Sequence, residues 1–165
     1  MEKSGLEAAR GVAYRYLGFS ARSRAEIERR LEKDEFPPDV IAAVIVELEA
    51  QNYLNDAQFA QDWIADRADR KKYGKGRLKA ELQRRGIDKE LIEEAMEDVA
   101  EEEEVKRALA AARQKWHPER IAEADHESRQ AEKRKIAAFL QRRGFSWAII
   151  KQVFAQLMAN DEELS

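Results

Sequence analysis

Apolar residues along this chain recur at helical spacing. Ile27 and Leu31, Leu78 and Leu82, and Ile136 and Leu140 are each four apart, which stacks their side chains on one helical face. The same spacing then repeats on a larger scale. Leu31, Leu82 and Leu140 correspond, and five residues later come Phe36, Ile87 and Phe145. Ile41, Ile92 and Ile150 follow, then Ile45, Met96 and Phe154, and finally Leu48, Val99 and Leu157, at equal offsets in all three stretches. Five matched positions in three copies point to an internal repeat.

Each copy reads as helix, tight turn, helix. Gly86 and Gly144 stand where the first helix must stop, as residues able to take positive φ, and Glu35 holds that place in the first copy. Asp39, Asp88 and Ser146 suit the N-cap or first turn of the following helix. A further helix precedes each pair: Ala8 to Phe19 with Val12, Tyr16 and Phe19 on one face, Asn55 to Lys72 with Phe59, Trp63 and Ile64 inward, and Glu101 to Trp116 with Val105, Leu109 and Ala112. The spacing predicts three three-helix repeats over 9–53, 54–100 and 101–159, with tails at 1–8 and 160–165. The third copy carries extra residues near 117–128, a polar segment expected as a loop or ragged helix start. A three-helix unit of this size buries little surface alone and needs neighbours. The expected architecture is therefore an all-α, elongated and curved array of three tandem repeats.

Composition supports the helical reading. Ala occurs 27 times and Glu 23 times, while Thr is absent and Val occurs only 7 times, a balance that favours helix over strand. Charged residues make up 38% of the chain, against roughly 25% in ordinary domains, so much of it must be solvated surface. With no Cys there is no disulfide framework, thiolate metal site or cysteine nucleophile. No apolar run is long enough for a transmembrane helix, and MEKSGLEAARG lacks the apolar core of a signal peptide. These features predict a soluble cytoplasmic protein with no membrane association.

No enzyme constellation emerges, and no cofactor or metal is expected. The only two histidines, His117 and His126, match no zinc spacing. GKGR at 74–77 lacks the P-loop pattern and reads as a turn between helices. The acidic run Glu101 to Glu104 reads as a solvated cap at a helix start, although pairing with basic residues elsewhere in the chain stays open. Trp63 is expected in the core, as are Trp116 and Trp147, with an interface anchor as the alternative for either of the last two.

The net charge of −3 conceals segregation. Residues 63–85 carry nine Lys or Arg against three Asp or Glu, and residues 88–104 carry ten acids against one Lys. The stripe comprises Arg67, Arg70, Lys71 and Lys72, the turn with Tyr73, Lys75 and Arg77, then Lys79, Arg84 and Arg85. Lys133, Arg134, Lys135, Arg142 and Arg143 echo it in the third copy, and Arg22, Arg24, Arg29 and Arg30 do so more weakly in the first. Cations near helix C-termini stabilise the macrodipole and explain single pairs, but not this density. A basic binding surface is the expectation, with phosphate backbone or an acidic protein face as partner.

Tyr53-Leu54-Asn55-Asp56, Phe59-Ala60, Trp63-Ile64, Arg67, Tyr73-Gly74, Arg77-Leu78, Glu81-Leu82 and Arg85-Gly86-Ile87 resemble the signature of the RecX family of bacterial recombinase regulators. Lys72 stands where that signature has the first Gly of G-Y-G. The resemblance implies a binding protein rather than an enzyme. Members bind the RecA filament on single-stranded DNA, along its groove or at an end, and depress ATP hydrolysis, strand exchange and co-protease activity. It further implies roles in DNA repair, recombination and the SOS response, and a monomer. Direct binding of single- or double-stranded DNA through helix–turn–helix units is the rival expectation, and a purely structural helical adaptor the third.

Overall fold

A computed structural model describes residues 3–163, with side chains over 5–160. Among the described residues it is entirely helical: α1 (Lys3–Phe19), α2 (Arg24–Lys33), α3 (Pro38–Ala50), α4 (Asp56–Lys71), α5 (Lys75–Arg84), α6 (Lys89–Glu97), α7 (Glu101–Arg113), α8 (Pro118–Glu123), α9 (His126–Arg142) and α10 (Trp147–Glu163). The first, second and third three-helix sets are thus α1–α3, α4–α6 and α7 with α9 and α10. Of the tails expected at 1–8 and 160–165, residues 1–2 and 164–165 lie outside the described residues, and the others continue α1 and α10.

The chain divides into two compact units. One comprises Met1–Trp63 and Glu81–Ala95, the other Ile64–Ala80 and Met96–Ser165. The core of the first is built from Ala9, Ala13, Ile27, Leu31, the α3 run Val40, Ile41, Val44, Ile45 and Leu48, and Leu54. Arg10 of α1 donates from Nε and Nη2 to the two carboxylate oxygens of Glu47 in α3, both at 2.8 Å. In the second unit Val105, Leu109 and Trp116 pack with Ile136, Leu140, Phe145, Ile150, Val153 and Leu157. Each such Leu or Ile contributes about 1.5–3 kcal/mol by leaving water.

The three copies of the helix stop share one geometry. Glu35, Gly86 and Gly144 have φ of 62°, 80° and 91°. In each copy the next residue closes the stop: Phe36, Ile87 and Phe145 donate their N–H to the carbonyls of Leu31, Leu82 and Leu140, all at 3.1 Å. That six-to-one bond terminates the helix and turns an apolar side chain back onto it. Gly meets the left-handed requirement freely, whereas Glu35 costs roughly 1–2 kcal/mol.

One open reading is narrowed and three expectations are corrected. The polar segment near 117–128 is ordered as a short helix plus the start of α9, because Pro118 occupies the first turn of α8 and the Asp125 side chain accepts the Ser128 N–H. The α9 helix is therefore longer than α2 and α5, at 17 residues against 10 and 10, and Glu132, which corresponds to Ser23 and Gly74, lies in its middle. Phe19, placed on the inner face of α1, is 85% exposed because it is the last residue of that helix. Trp116 is buried as expected, but Trp147 is 54% exposed, since it opens α10 on the side away from the Ile149, Ile150 and Val153 core face. Glu104 is nearly fully buried, while Glu101, Glu102 and Glu103 are exposed.

Candidate functional site

The expected site residues fall into both units. Arg84 and Arg85 belong to the first. Arg84 is exposed at the end of α5, while Arg85 is half-buried and inward-facing. The Arg85 guanidinium donates to Glu26 Oε1 at 3.0 Å and lies over the rings of Phe59 and Trp63, at 5.1 and 4.8 Å. Trp63 stacks on Phe59 at 5.9 Å and donates its indole N–H to Glu81 at 3.0 Å.

Arg85 also marks a junction. The carbonyl of Arg85 accepts the hydroxyl of Ser23, which is wholly buried and caps α2 through a reciprocal bond pair with Glu26. Gly86 lies so close to Ala25 that an added Cβ would stand 2.5 Å from the alanine Cβ. The carbonyl end of α5 thus meets the N–H end of α2, an arrangement the two helix dipoles favour.

The second unit holds the matching junction and most of the basic residues. Gly74 donates its N–H to Arg143 O at 2.7 Å, and Gly76 donates to Gly144 O at 3.0 Å. A Cβ at Gly74 would stand 2.6 Å from the Gly144 backbone, so glycine is required there. Arg77 Nη1 donates to Arg142 O at 3.3 Å, and Arg143 Nη1 donates to Lys71 O. The turn expected at 74–77 is in fact Lys72–Gly74, and Lys75 already begins α5. Lys72 has a φ of 55°, the left-handed conformation that suits the glycine of the G-Y-G pattern.

This junction brings Lys71, Lys72, Tyr73, Lys75, Arg77, Arg142 and Arg143 together. Within it the cations sit on ring faces. Arg77 lies 4.1 Å from the Tyr73 ring centre and Arg143 lies 5.9 Å from it. Arg143 is also 4.8 Å from the Phe139 ring, and Lys115 approaches Phe139 at 4.8 Å. Lys115, Phe139, Arg143, Tyr73 and Arg77 thus form a ladder of alternating cations and rings. A ring quadrupole attracts a cation through its face, so the ladder holds Lys115, Arg143 and Arg77 in place.

The other expected residues lie around this centre. Arg67 and Arg70 share Asp66, at 3.3 and 3.1 Å. Lys133, Arg134 and Lys135 lie on α9 before Arg142, with Lys135 paired to Glu132 at 3.2 Å. Glu104 is the residue that sequence reasoning missed: its Oε1 accepts the Lys75 N–H at 3.0 Å, tying α7 to the start of α5. One turn further, burial holds the Arg107 guanidinium below its usual range, opposed by the nearby Glu104, Asp69 and Glu103. Phe139 was also missed, although its place between Ile136 and Leu140 hid it among core positions. His117 and His126 are exposed at the starts of α8 and α9. No helix among the described residues is long and apolar enough to cross a membrane.

Comparison with known proteins finds three family patterns in series. Residues 9–48 match "RecX, first three-helix domain", 55–96 match "RecX, second three-helix domain" and 101–154 match "RecX, third three-helix domain". A regulatory protein RecX of Mycolicibacterium vanbaalenii is 34% identical over 160 residues, covering 95% of this chain and 86% of that one. One of Mycolicibacterium smegmatis is 33% identical over 157 residues, covering 95% and 83%. A crystal structure of RecX from Lactobacillus salivarius shares the fold with a TM-score of 0.86 at 22% identity, over 96% of this chain and 99% of that one.

Proposed function

We propose that this chain, which belongs to the RecX family, is a negative modulator of RecA. It binds the RecA filament on single-stranded DNA and restrains its extension, ATP hydrolysis, strand exchange and co-protease activity. The role is one of binding, in the cytoplasm, by a monomer acting in DNA repair, recombination and the SOS response. The observation that carries the reading is the ladder of cations on Tyr73 and Phe139 within a turn crowded by Lys71, Lys72, Lys75 and Arg142. A nucleoprotein filament offers acidic protein faces and phosphate, and ring-held arginines meet both with little loss of side-chain freedom. Lys133, Arg134 and Lys135 extend the same positive field along α9, about two turns from Arg142.

The test is RecA-dependent ATP hydrolysis on single-stranded DNA, titrated with this protein. The triple variant Arg70→Glu, Lys72→Glu, Arg77→Glu is expected to lose inhibition while keeping its helicity. Full inhibition by a folded triple variant overturns the assignment. Potency far below one molecule per RecA identifies end capping, and near-equimolar potency identifies groove occupation.

A further inference from the structure

We propose that a groove between α2 and α3, continued at the start of α4, docks a basic segment of a partner protein that carries an apolar side chain beside its lysines or arginines. Two hollows, of about 320 and 360 Å³, share Arg24. The first is lined by Glu28 and Glu32 of α2 and by Phe36, Pro38, Ile41 and Ala42. The second is lined by Glu49, Asp56 and Asp88, together with Leu54 and Leu91. All of these residues belong to the first unit. The inference therefore stands apart from the proposed function, which rests on the basic turn of the second.

Charge selects the occupant. Five carboxylates line the groove against one guanidinium. Arg24 donates from its side chain to Glu28 at 2.9 Å and to Glu49 at 3.4 Å, and its backbone N–H donates to Asp56 at 2.9 Å. One cation does not offset five acids, so the groove carries a negative field. Burial, opposed by the Arg24 N–H and reinforced by Asp88 and Glu49, accordingly pushes the Asp56 carboxyl up. Among the described residues no three acids or histidines converge as metal ligands do. Acids strung along a groove suit an extended cationic chain, not a single ion.

The apolar side narrows the choice further, and the repeat itself does not demand it. Pro38, Ala42 and Val46 follow one another at four-residue spacing on α3, and all three are exposed, Val46 by 65%. The second copy has Lys89, Glu93 and Glu97 at those places. Glu28 and Glu32 likewise correspond to Lys79 and Gln83 in the second copy and to Ala137 and Gln141 in the third. The first repeat thus sets an apolar strip beside acids where its neighbour presents charge alone, which marks a surface for protein contact. A bare polyamine would meet the acids and leave the strip in water. A basic segment with an apolar anchor covers both.

The test is anisotropy of a short labelled peptide of leucine and lysine, titrated with the full chain. Two analogues are compared, one with glycine for every leucine and one with glutamate for every lysine. The parent is expected to bind the leucine–lysine peptide, and each analogue about tenfold more weakly. Glu32→Lys combined with Asp88→Lys is expected to weaken binding of the leucine–lysine peptide about tenfold. Ala42→Gln, which obstructs the strip without changing charge, is expected to weaken it about fivefold. Glu7→Lys combined with Glu94→Lys changes the net charge equally at exposed acids of α1 and α6 outside the groove, and binding is expected to stay within about twofold. Circular dichroism checks helicity. Should the groove pair lose helicity, Ala42→Gln and the two analogues decide the matter. The proposal is overturned if the parent does not bind the leucine–lysine peptide, if either analogue binds as tightly, if the two charge-reversed pairs lose affinity equally, or if folded Ala42→Gln binds like the parent.

Discussion

The junctions at Ser23–Arg85 and Gly74–Arg143 occupy equivalent places in their repeats and solve the same problem in different materials. In each, the carbonyl end of one helix meets the N–H end of another. The first does so through a buried hydroxyl and sends its arginine to a carboxylate, Glu26. The second does so through glycine backbone and sends its arginine to a carbonyl and two rings, all neutral groups. One positive charge is thereby cancelled within the fold and the other is fixed but kept. A repeat can hold its packing constant while moving charge from internal use to display, and the choice of partner for one arginine is enough to do it.

The largest effect is expected from the glycines. Gly144→Ala forces a Cβ into the Arg77 backbone from a φ of +91°, whereas Gly86→Ala meets the Cβ of Ala25 and the flexible end of Arg29. Thermal or urea unfolding is expected to show a loss of about 3–5 kcal/mol for Gly144→Ala and about 1 kcal/mol less for Gly86→Ala. Equal losses would mean that the two junctions are equally tight. Ser23→Ala removes a cap and strands the buried Arg85 carbonyl, for a loss of about 2–3 kcal/mol by the same measurement. Because the matching residue in the other unit is Gly74, whose contribution is its backbone N–H, no side-chain deletion there has a counterpart.

Lys72→Gly is expected to raise stability by about 0.5–1 kcal/mol, since glycine relieves the left-handed strain at that position while adding some unfolded-state freedom. The smallest effect belongs to Asp56. Burial, opposed by the Arg24 N–H bond and reinforced by Asp88 and Glu49, pushes its carboxyl above the usual range. The folded state then holds the proton more tightly than the unfolded chain. Ionisation costs stability in full above the raised value, and the cost disappears as pH falls below the unfolded value. Asp56→Asn keeps an acceptor for Arg24 and is expected to gain up to about 0.5 kcal/mol at neutral pH. That gain should vanish in acid, and a gain that persists in acid would rule out the electrostatic cause.

How much of this was readable in the chain follows from what carries each feature. The Leu31, Leu82 and Leu140 series and the stops at Glu35, Gly86 and Gly144 are local, so spacing alone exposes them. The junctions join Ser23 to Arg85 and Gly74 to Arg143, far apart in sequence, and no periodicity relates a hydroxyl in one repeat to a carbonyl in the next. For the same reason Glu104 read as one more solvated acid, because only the Lys75 N–H shows why it is buried. The site residues were recognisable as cations, but not in their separate roles. Arg85 and Arg143 each follow another arginine and precede a glycine, and only their partners in space tell them apart.

The mid-helix position of Glu132 leaves the third repeat without a socket. Two plugs, Arg85-Gly86 and Arg143-Gly144, fill the two sockets at the starts of α2 and α5. A third socket would need free N–H groups at Glu132, but α9 has begun at His126 and uses them in its own ladder. The spare turn at the other end, Asp34-Glu35, presents acid and a bulky Cβ where the plugs present arginine and glycine. Contacts of the Ser23–Arg85 kind therefore have no counterpart at the start of the third repeat or at the stop of the first.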